Sequence, residues 1–203
     1  RELKVYNAGA ATANPLFTKS LSFEAGKYYT VFIVETAAKM DAVSLRDSTR
    51  AAGQDSVRLR FADMSPDAAG LDLYVKGEAT PVATNVTYKK AGNFFSYKAT
   101  SNIIFELRPT GQNTLLATLE PINLFRGNIY TIWCGGYRAG SEAAGTRVKL
   151  GAYAHLRIHR TFMKPKSACA FDNVSKADFY NIGIYKTYRC QLLNGRRTEL
   201  QRK

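Results

Sequence analysis

Residues 23–34 read FEAGKYYTVFIV, and the same pattern returns much later in the chain as LFRGNIYTIWC at residues 124–134. Both stretches contain Gly-x-x-Tyr-Thr followed by an apolar run. ELKV at residues 2–5 precedes the first stretch as ELRP at residues 106–109 precedes the second, and VSL at 43–45 is echoed by VKL at 148–150. A pattern that recurs in the same order predicts a repeated supersecondary unit. Residues 57–100 have no counterpart before Glu2, so we expect the chain to start inside its first copy.

Short apolar or alternating runs separated by turn signals fill the rest of the chain. VRLRF at 57–61 alternates, SPD at 65–67 interrupts it, and LDLYV at 71–75 resumes the alternation. Proline presets φ, and serine and aspartate side chains bond nearby backbone groups, so this tripeptide is a turn signal. About seven to eight such strands are expected over residues 57–153. The pattern predicts an all-β fold of tandem Ig-like, Greek-key antiparallel β-sandwich domains, the first truncated at its N-terminus.

This pattern divides the chain into four segments. Residues 1–47 are the C-terminal part of a first β-sandwich repeat, 48–56 a linker, and 57–153 a complete second repeat. Residues 154–203 form an atypical basic tail in which the alternation fades. Local patterning that conflicts with the rest of a chain is a warning about foldability. Two explanations of the tail stay open: a genuine extension, or a disordered or foreign stretch such as out-of-frame translation.

The composition fits a globular protein and argues against nucleic acid as a partner. The chain has 203 residues, 45% of them hydrophobic, and a net charge of +13. The last 49 residues carry +8 of this charge, and the preceding 154 residues carry only +5. A basic patch that served nucleic acid would be expected on the folded repeat. No apolar run approaches the roughly 20 residues that a membrane-spanning helix needs.

Three motifs in order resemble the domain of unknown function 4397 family. VRLRFADMSPDAAGLDLYV at 57–75 resembles its opening, in which a Val-Arg strand precedes Ser-Pro-Asp-Ala and an Asp-Val-Tyr-Val-like strand. ATNVTY at 83–88 resembles its Leu-x-Asn-Val-x-Tyr/Phe segment, and Gly26–Thr30 and Gly127–Thr131 resemble its Ala-Gly-x-x-Tyr-Thr strand. The resemblance covers residues 57–153, covers 2–47 as a half copy, and excludes the tail. Arg126 departs from it, standing where the family has a small residue.

The resemblance implies an Ig-like β-sandwich in an exported bacterial protein, frequently in tandem copies and often in a lipoprotein. We therefore expect a non-enzymatic structural or binding module of an exported or surface-anchored protein, at the outer membrane, cell surface or periplasm. No cofactor is expected and the ligand is unknown. The expected partners are an envelope glycan or another surface protein, with membrane contact only through a lipid anchor outside this sequence. The alternative is a carbohydrate-binding accessory domain or a weak hydrolase of the cell envelope.

Two groups of polar side chains are candidate sites, and for both we expect structural roles. Asp63, Asp67 and Asp72 surround one turn, but a calcium ion needs roughly six to eight oxygen ligands. His155 and His159 lack the glutamate of a zinc-protease motif and lie at a strand end, outside the clear repeat. Because both histidines lie outside the repeat, we exclude a Ser-His-Asp group within it. The sequence also has no Gly-x-Ser-x-Gly motif, so we assign no catalytic, cofactor or metal residue.

Cysteine and aromatic side chains are likewise expected to be structural. Cys134 lies in an apolar strand and should be a buried thiol. Cys169 and Cys190 lie in the tail, too far apart for a metal motif. Aromatic rings could stack on a sugar, but core packing is the expectation for each ring, with Tyr74 outward or at an edge. The rings considered are Tyr28, Tyr29, Tyr74, Tyr88, Phe94, Phe95, Tyr97, Tyr130, Trp133 and Tyr137.

Overall fold

A computed structural model of the chain describes residues 1–6, 14–50, 52–140 and 145–155, and the backbone of 187–191. Regular structure in these residues is entirely β-strand, which confirms the predicted all-β fold. The strands are β1 (Glu2–Val5), β2 (Phe17–Ser20), β3 (Tyr28–Val34), β4 (Asp41–Arg46), β5 (Ser56–Met64), β6 (Leu71–Val75), β7 (Ala83–Val86), β8 (Lys90–Ala91), β9 (Phe95–Lys98), β10 (Thr100–Pro109), β11 (Ala117–Leu124), β12 (Ile129–Gly135), β13 (Lys149–His155) and β14 (Thr187–Gln191).

The strands from β5 to β13 form a β-sandwich. One sheet has the order β11-β10-β6-β7 and the other β13-β12-β5-β8, with β9 also paired to β5. Val57, Leu59 and Phe61 of β5 point into the core between the sheets and are fully buried there. The alternation of VRLRF therefore sends its apolar residues inward and its arginines to the outer face of the sheet.

The pairing of β5 with β12 departs from the predicted antiparallel arrangement. Residues 58–64 run parallel to residues 129–135, whereas the other paired strands of the described residues are antiparallel. Parallel neighbours need a long crossover connection. Here the chain between β5 and β12 builds the whole opposite sheet, so it can return in the same direction.

Strand β3 has both of its faces covered, which explains why its sequence is a continuous apolar run. It lies between β4 and β14 in a three-stranded sheet. One face contributes Val31 and Ile33 to a small core closed on the other side by residues of β1 and β2. The opposite face contributes Phe32 and Val34 to a second apolar cluster.

That second apolar cluster joins the N-terminal strands to the sandwich. Phe32 and Val34 pack with Ala62 and Met64 on the outer face of β5. Trp133 of β12 joins them, and its ring centroid lies 6.2 Å from that of Phe32. The outer face of the β5–β12–β13 sheet is thus a docking face for β3 and β4.

The two Gly-x-x-Tyr-Thr stretches adopt the same local structure. Gly26 and Gly127 both have a left-handed φ, 69° and 77°, which favours glycine. The Tyr29 hydroxyl accepts a hydrogen bond from the backbone N–H five residues upstream at 3.2 Å, and the Tyr130 hydroxyl accepts the equivalent bond at 2.9 Å. Both rings are buried, as expected for core residues.

Most of the predictions for the tail lie outside the described residues, including those for His159 and Cys169. The described part of residues 154–203 is the end of β13 and the backbone of β14, which pairs antiparallel with β3. Among the residues that the structure describes, no helix is long and apolar enough to cross a membrane.

Candidate functional site

Six polar side chains meet on the docking face, and we call them the interface cluster. They come from the facing strands β3, β5, β12 and β13 and from the residue that follows β4. The members are Thr30, Asp47, Arg60, Thr131, Tyr153 and His155. Polar groups in such a place must satisfy one another, because burial without hydrogen bonds is costly.

An ion pair between Arg60 and Asp47 organises the cluster. Arg60 Nη2 lies 2.6 Å from Asp47 Oδ1, with side chains only 4% and 1% exposed. Arg60 Nη1 donates to the backbone carbonyl of Arg46 at 2.8 Å, and its Nε donates to Thr131 Oγ1 at 2.8 Å. A buried guanidinium needs this number of partners to offset its loss of water. The pair thus ties the end of β4 to the sandwich.

The cluster contains a nucleophile-base-acid geometry that we had not expected. Thr131 Oγ1 lies 2.8 Å from His155 Nε2, and His155 Nδ1 lies 3.6 Å from Asp47 Oδ2. Because Thr131 Oγ1 accepts the Arg60 Nε–H, its own hydrogen is available for His155 Nε2. The other ring nitrogen, Nδ1, faces Asp47. The prediction concerned a Ser-His-Asp group within residues 57–153, and this group reaches beyond that range: β13 extends to His155 beside β12, and Asp47 precedes the range.

The surroundings of this group favour a structural role over catalysis. Thr131 is 0% exposed and His155 is 4% exposed, so no open path leads to the hydroxyl. The Phe94 ring lies over the group, with its centroid 4.6 Å from Arg60 Cζ and 5.8 Å from the His155 ring centroid. A catalytic nucleophile needs space for the reacting atom next to the base, and here that space is filled by Arg60 and Phe94.

A second polar contact lies elsewhere on the docking face. Glu35 Oε1 accepts a hydrogen bond from Tyr88 at 2.6 Å, and its Oε2 accepts one from Tyr137 at 3.4 Å. Burial and the nearby Glu35 carboxylate raise the pKa of Tyr137. Lys89 Nζ lies 2.7 Å from an Asp41 carboxylate oxygen. Both contacts join residues before 48 to residues after 56, so they reinforce the docking.

The Ser-Pro-Asp motif holds the loop after β12. Ser65 Oγ donates to the carbonyl of Gly136 at 2.8 Å. The Asp67 carboxylate accepts the backbone N–H groups of Arg138 at 2.6 Å and Ala139 at 2.9 Å. The Asp67 carboxylate thus binds backbone groups of its own chain, which is the structural role expected of a turn residue.

Asp72 ties its own strand to β7 and to the turn that follows β10. Its carboxylate accepts hydrogen bonds from the N–H of Asn85 at 2.7 Å, the hydroxyl of Thr110 at 2.8 Å and the N–H of Gly111 at 3.4 Å. It lies on the outer face of β6, as its alternation with the leucines predicted, and loops cover it until only 4% is exposed. The partners of Asp72 are separate from those of Asp63 and Asp67, which both contact Ser65. The described residues contain no group of three or more His, Cys, Asp or Glu side chains placed to hold a metal ion.

Of these three aspartates, Asp63 alone has a buried carboxylate oxygen with no hydrogen-bond partner. Its Oδ1 accepts the Ser65 N–H at 2.8 Å and the Cys134 thiol at 3.2 Å, while its Oδ2 is buried without a partner. Burial raises the pKa of Asp63 to about 6. Burial, together with the Asp63 charge, also raises the pKa of the Cys134 thiol well above its ordinary value. Cys134 is thus the buried thiol that the sequence predicted.

Each of the ten aromatic residues considered is buried or half-buried, so they form no exposed row of rings in the described part of the chain. Tyr74 was expected outward or at an edge. It lies on the outer face but is 9% exposed, because the Arg108 guanidinium covers its ring at 4.4 Å. The large exposed apolar side chains of the described residues are Leu16, Leu115 and Phe125.

Sequence reasoning missed Thr30, Asp47 and Arg60 as interacting residues. A signal existed: the same threonine follows the core tyrosine in both Gly-x-x-Tyr-Thr stretches. An arginine alternating outward on β5 looks the same whether it meets water or another sheet. The contact depends on how the two halves of the chain dock, and local pattern does not contain that information.

Comparison with known proteins gives one family match. The family model described as domain of unknown function (DUF4397) matches residues 1–74, which confirms the family resemblance recognised in the sequence. The match runs from the N-terminal strands through the Ser-Pro-Asp motif into β6. No curated protein matches the chain at a significant level.

Proposed function

We propose that this protein is a non-enzymatic structural module of the bacterial cell envelope, built from tandem β-sandwich units that dock face to face. One observation supports it above all: the polar residues of the family motifs, and the group formed by Thr131, His155 and Asp47, make hydrogen bonds to other parts of the protein. Asp67 holds a loop, Asp72 joins three elements, and Thr131 and His155 lie inside the docking interface. Side chains that bind loops and strands of their own chain stabilise the fold.

The tandem arrangement is supported by contacts between matching positions. Phe32 and Trp133 occupy the same place in their respective stretches, and their rings meet edge-on. Thr30 and Thr131 also match, and both belong to the interface cluster. Contacts of like with like are typical of isologous association, in which a surface packs on its own equivalent. The two units would therefore use one kind of face to form a closed pair.

The extracytoplasmic location follows from the family resemblance. As an envelope module, the docked pair would serve as a rigid spacer or as a support for a binding surface. The carbohydrate-binding alternative has less support, because the described residues show no exposed row of aromatic rings. A hydrolase would need Phe94 and Arg60 to move away from Thr131 and His155, so that a substrate could reach the hydroxyl.

Accessibility of His155 tests the structural role directly. The native chain is treated with diethylpyrocarbonate, and modification of His155 is followed by mass spectrometry with and without urea. We expect His155 to react at least about a hundredfold more slowly in the native chain, because the ring is buried. Equal rates in both conditions would overturn the proposal, since the group would then be open to a substrate.

Two further assays address the alternatives. The full chain is screened for hydrolysis of ester and glycoside model substrates, with Thr131→Val as the matched variant. It is also applied to an array of envelope glycans, with Phe94→Ala as the matched variant. We expect neither turnover nor saturable glycan binding. Turnover lost in Thr131→Val, or glycan binding lost in Phe94→Ala, would favour the corresponding alternative.

A further inference from the structure

We propose that the turn end of the β3–β4 hairpin is a hinged strap, which opens from the sandwich while the other end of the hairpin stays docked. The strap consists of residues 33–42, and its connecting residues 36–39 are exposed. Antiparallel pairing places Val34 beside Asp41 at this end and Tyr29 beside Arg46 at the other. The two ends are held to the sandwich by different kinds of contact, so one can open without the other.

The end of the hairpin near Arg46 is anchored by buried contacts. Arg60 and Asp47 form the ion pair of the interface cluster there, with side chains only 4% and 1% exposed. The described pairs between β3 and β14 also lie toward this end, at residues 28–32 of β3. Separating a buried ion pair leaves an unpaired charge away from water, which is costly. This end should therefore stay docked during a local opening.

The strap is held by an ion pair that water can replace. Lys89 Nζ lies 2.7 Å from an Asp41 carboxylate oxygen, but the two side chains are 35% and 29% exposed. Ion pairs with such access to solvent are weak, because water and salt screen them. The other Asp41 oxygen lies 2.5 Å from Lys19 Nζ, which also donates to the Ala42 carbonyl. Lys19 belongs to β2, so Asp41 keeps one cationic partner when the strap leaves the sandwich.

Backbone strain on both sides of this contact favours release. Glu35 and Lys89 have φ values of 73° and 62°, in the left-handed region that residues with a side chain rarely occupy. Such conformations persist where surrounding contacts enforce them. At Glu35 these contacts are the hydroxyls of Tyr88 and Tyr137, which donate to its carboxylate at 2.6 Å and 3.4 Å. Opening of the strap breaks these two hydrogen bonds and lets the Glu35 backbone relax.

The strap covers an apolar part of the docking face. Val34 packs there with Met64, and both side chains are completely buried. Tyr88 of the sandwich packs against the same cluster and is half-buried. Opening of the strap therefore exposes the Met64 thioether to water while the interface cluster stays covered. Met64 reports on the strap, and His155 of the interface cluster reports on the anchored end.

Two chemical reactions on the full chain measure the two ends separately. Oxidation of Met64 to the sulfoxide by dilute hydrogen peroxide follows the strap, and modification of His155 by diethylpyrocarbonate follows the anchored end, both mapped by mass spectrometry. In Glu35→Ala, we expect Met64 to oxidise at least about tenfold faster than in wild type, because two hydrogen bonds to a carboxylate are lost. The His155 rate should change by less than about twofold. Lys39→Ala, in the exposed turn, is the matched control and should leave both rates unchanged.

Two results would overturn the inference. An unchanged Met64 rate in Glu35→Ala would mean that the contacts of Glu35 do not hold the strap. Equal acceleration at Met64 and His155 would mean that the hairpin leaves the sandwich as a whole. If Glu35→Ala fails to fold, as judged by circular dichroism, the milder variant Tyr88→Phe decides by the same two rates. Slow reaction of His155 in wild type tests the proposed structural role, so failure of that role is distinguishable from failure of the strap.

Discussion

At the scale of single residues, Asp63 contributes a pH dependence of stability whose sign follows from its burial. Its pKa is about 6 in the folded chain, above the ordinary value of 3.8, because burial penalises the carboxylate. The folded state therefore binds this proton more tightly than the unfolded state. The resulting stabilisation is fully present below the unfolded pKa and is lost as the pH rises through the folded pKa.

The variant Asp63→Asn removes this titration while keeping an oxygen for the Ser65 N–H and the Cys134 thiol. We expect the stability of wild type relative to the variant to rise by about 2 kcal/mol between pH 8 and pH 4.5. Urea unfolding of both proteins at the two pH values measures it. Asp55→Asn, at an exposed position, is the control and should show no such change. A constant difference between wild type and Asp63→Asn would show that Asp63 titrates normally.

The hydroxyl groups of the two buried tyrosines each accept a hydrogen bond from the backbone N–H five residues upstream. Tyr29→Phe and Tyr130→Phe each leave a backbone N–H without its partner, and we expect each to cost about 1 kcal/mol. The alanine variants also remove a buried ring and should cost about 2–4 kcal/mol. Thermal and urea unfolding measure both series. Midpoints unchanged in all four variants would mean that these rings lie outside the cores.

At the scale of strands, the ion pair of Arg60 and Asp47 couples β5 to the end of β4. Removal of one partner leaves a buried charge, so Arg60→Met and Asp47→Leu should each cost about 3–5 kcal/mol. The double variant should cost less than the sum of the two by at least about 2 kcal/mol. Additive effects in this double-mutant cycle would contradict direct coupling.

An exposed ion pair between the end of β4 and the segment before β3 supplies the control. Arg46 and Glu24 lie 3.4 Å apart with side chains 52% and 63% exposed. Glu24→Gln should change stability by less than about 0.5 kcal/mol, because water and salt screen such pairs. A loss of stability as large as that from Asp47→Leu would mean that the exposed ion pair is as strongly coupled as the buried one.

Strands and turns were predictable from sequence where the physics is local. The alternation of residues 57–61, the Ser-Pro-Asp turn and the Gly-x-x-Tyr-Thr turns all lie where the pattern placed them. The parallel pairing of β5 with β12 was not predictable, because it depends on strands far apart in sequence. The same limit explains the missed role of His155: its partner Thr131 comes from another strand, and its partner Asp47 follows β4, more than 100 residues earlier in the chain.

At the scale of the whole molecule, we expect the docking face to make the N-terminal strands and the sandwich unfold as one cooperative body. Phe32, Val34, Ala62 and Met64 are completely buried between them. A polar contact at Glu35 and the interface cluster add hydrogen bonds across the same face. Because the N-terminal unit has only a small core of its own, we expect it to depend on docking for its stability.

Trp133 reports on that docking, since it is the one tryptophan of the chain and lies in the apolar cluster of the interface. In wild type, the urea transitions followed by tryptophan fluorescence and by far-ultraviolet circular dichroism should coincide, because the units unfold together. In Asp47→Leu, the fluorescence transition should move to lower urea and precede most of the loss of β-structure. Separate transitions in wild type would show that the units unfold independently. Coincident transitions in both proteins, with Asp47→Leu destabilised, would mean that the interface cluster stabilises the fold as a whole without controlling docking.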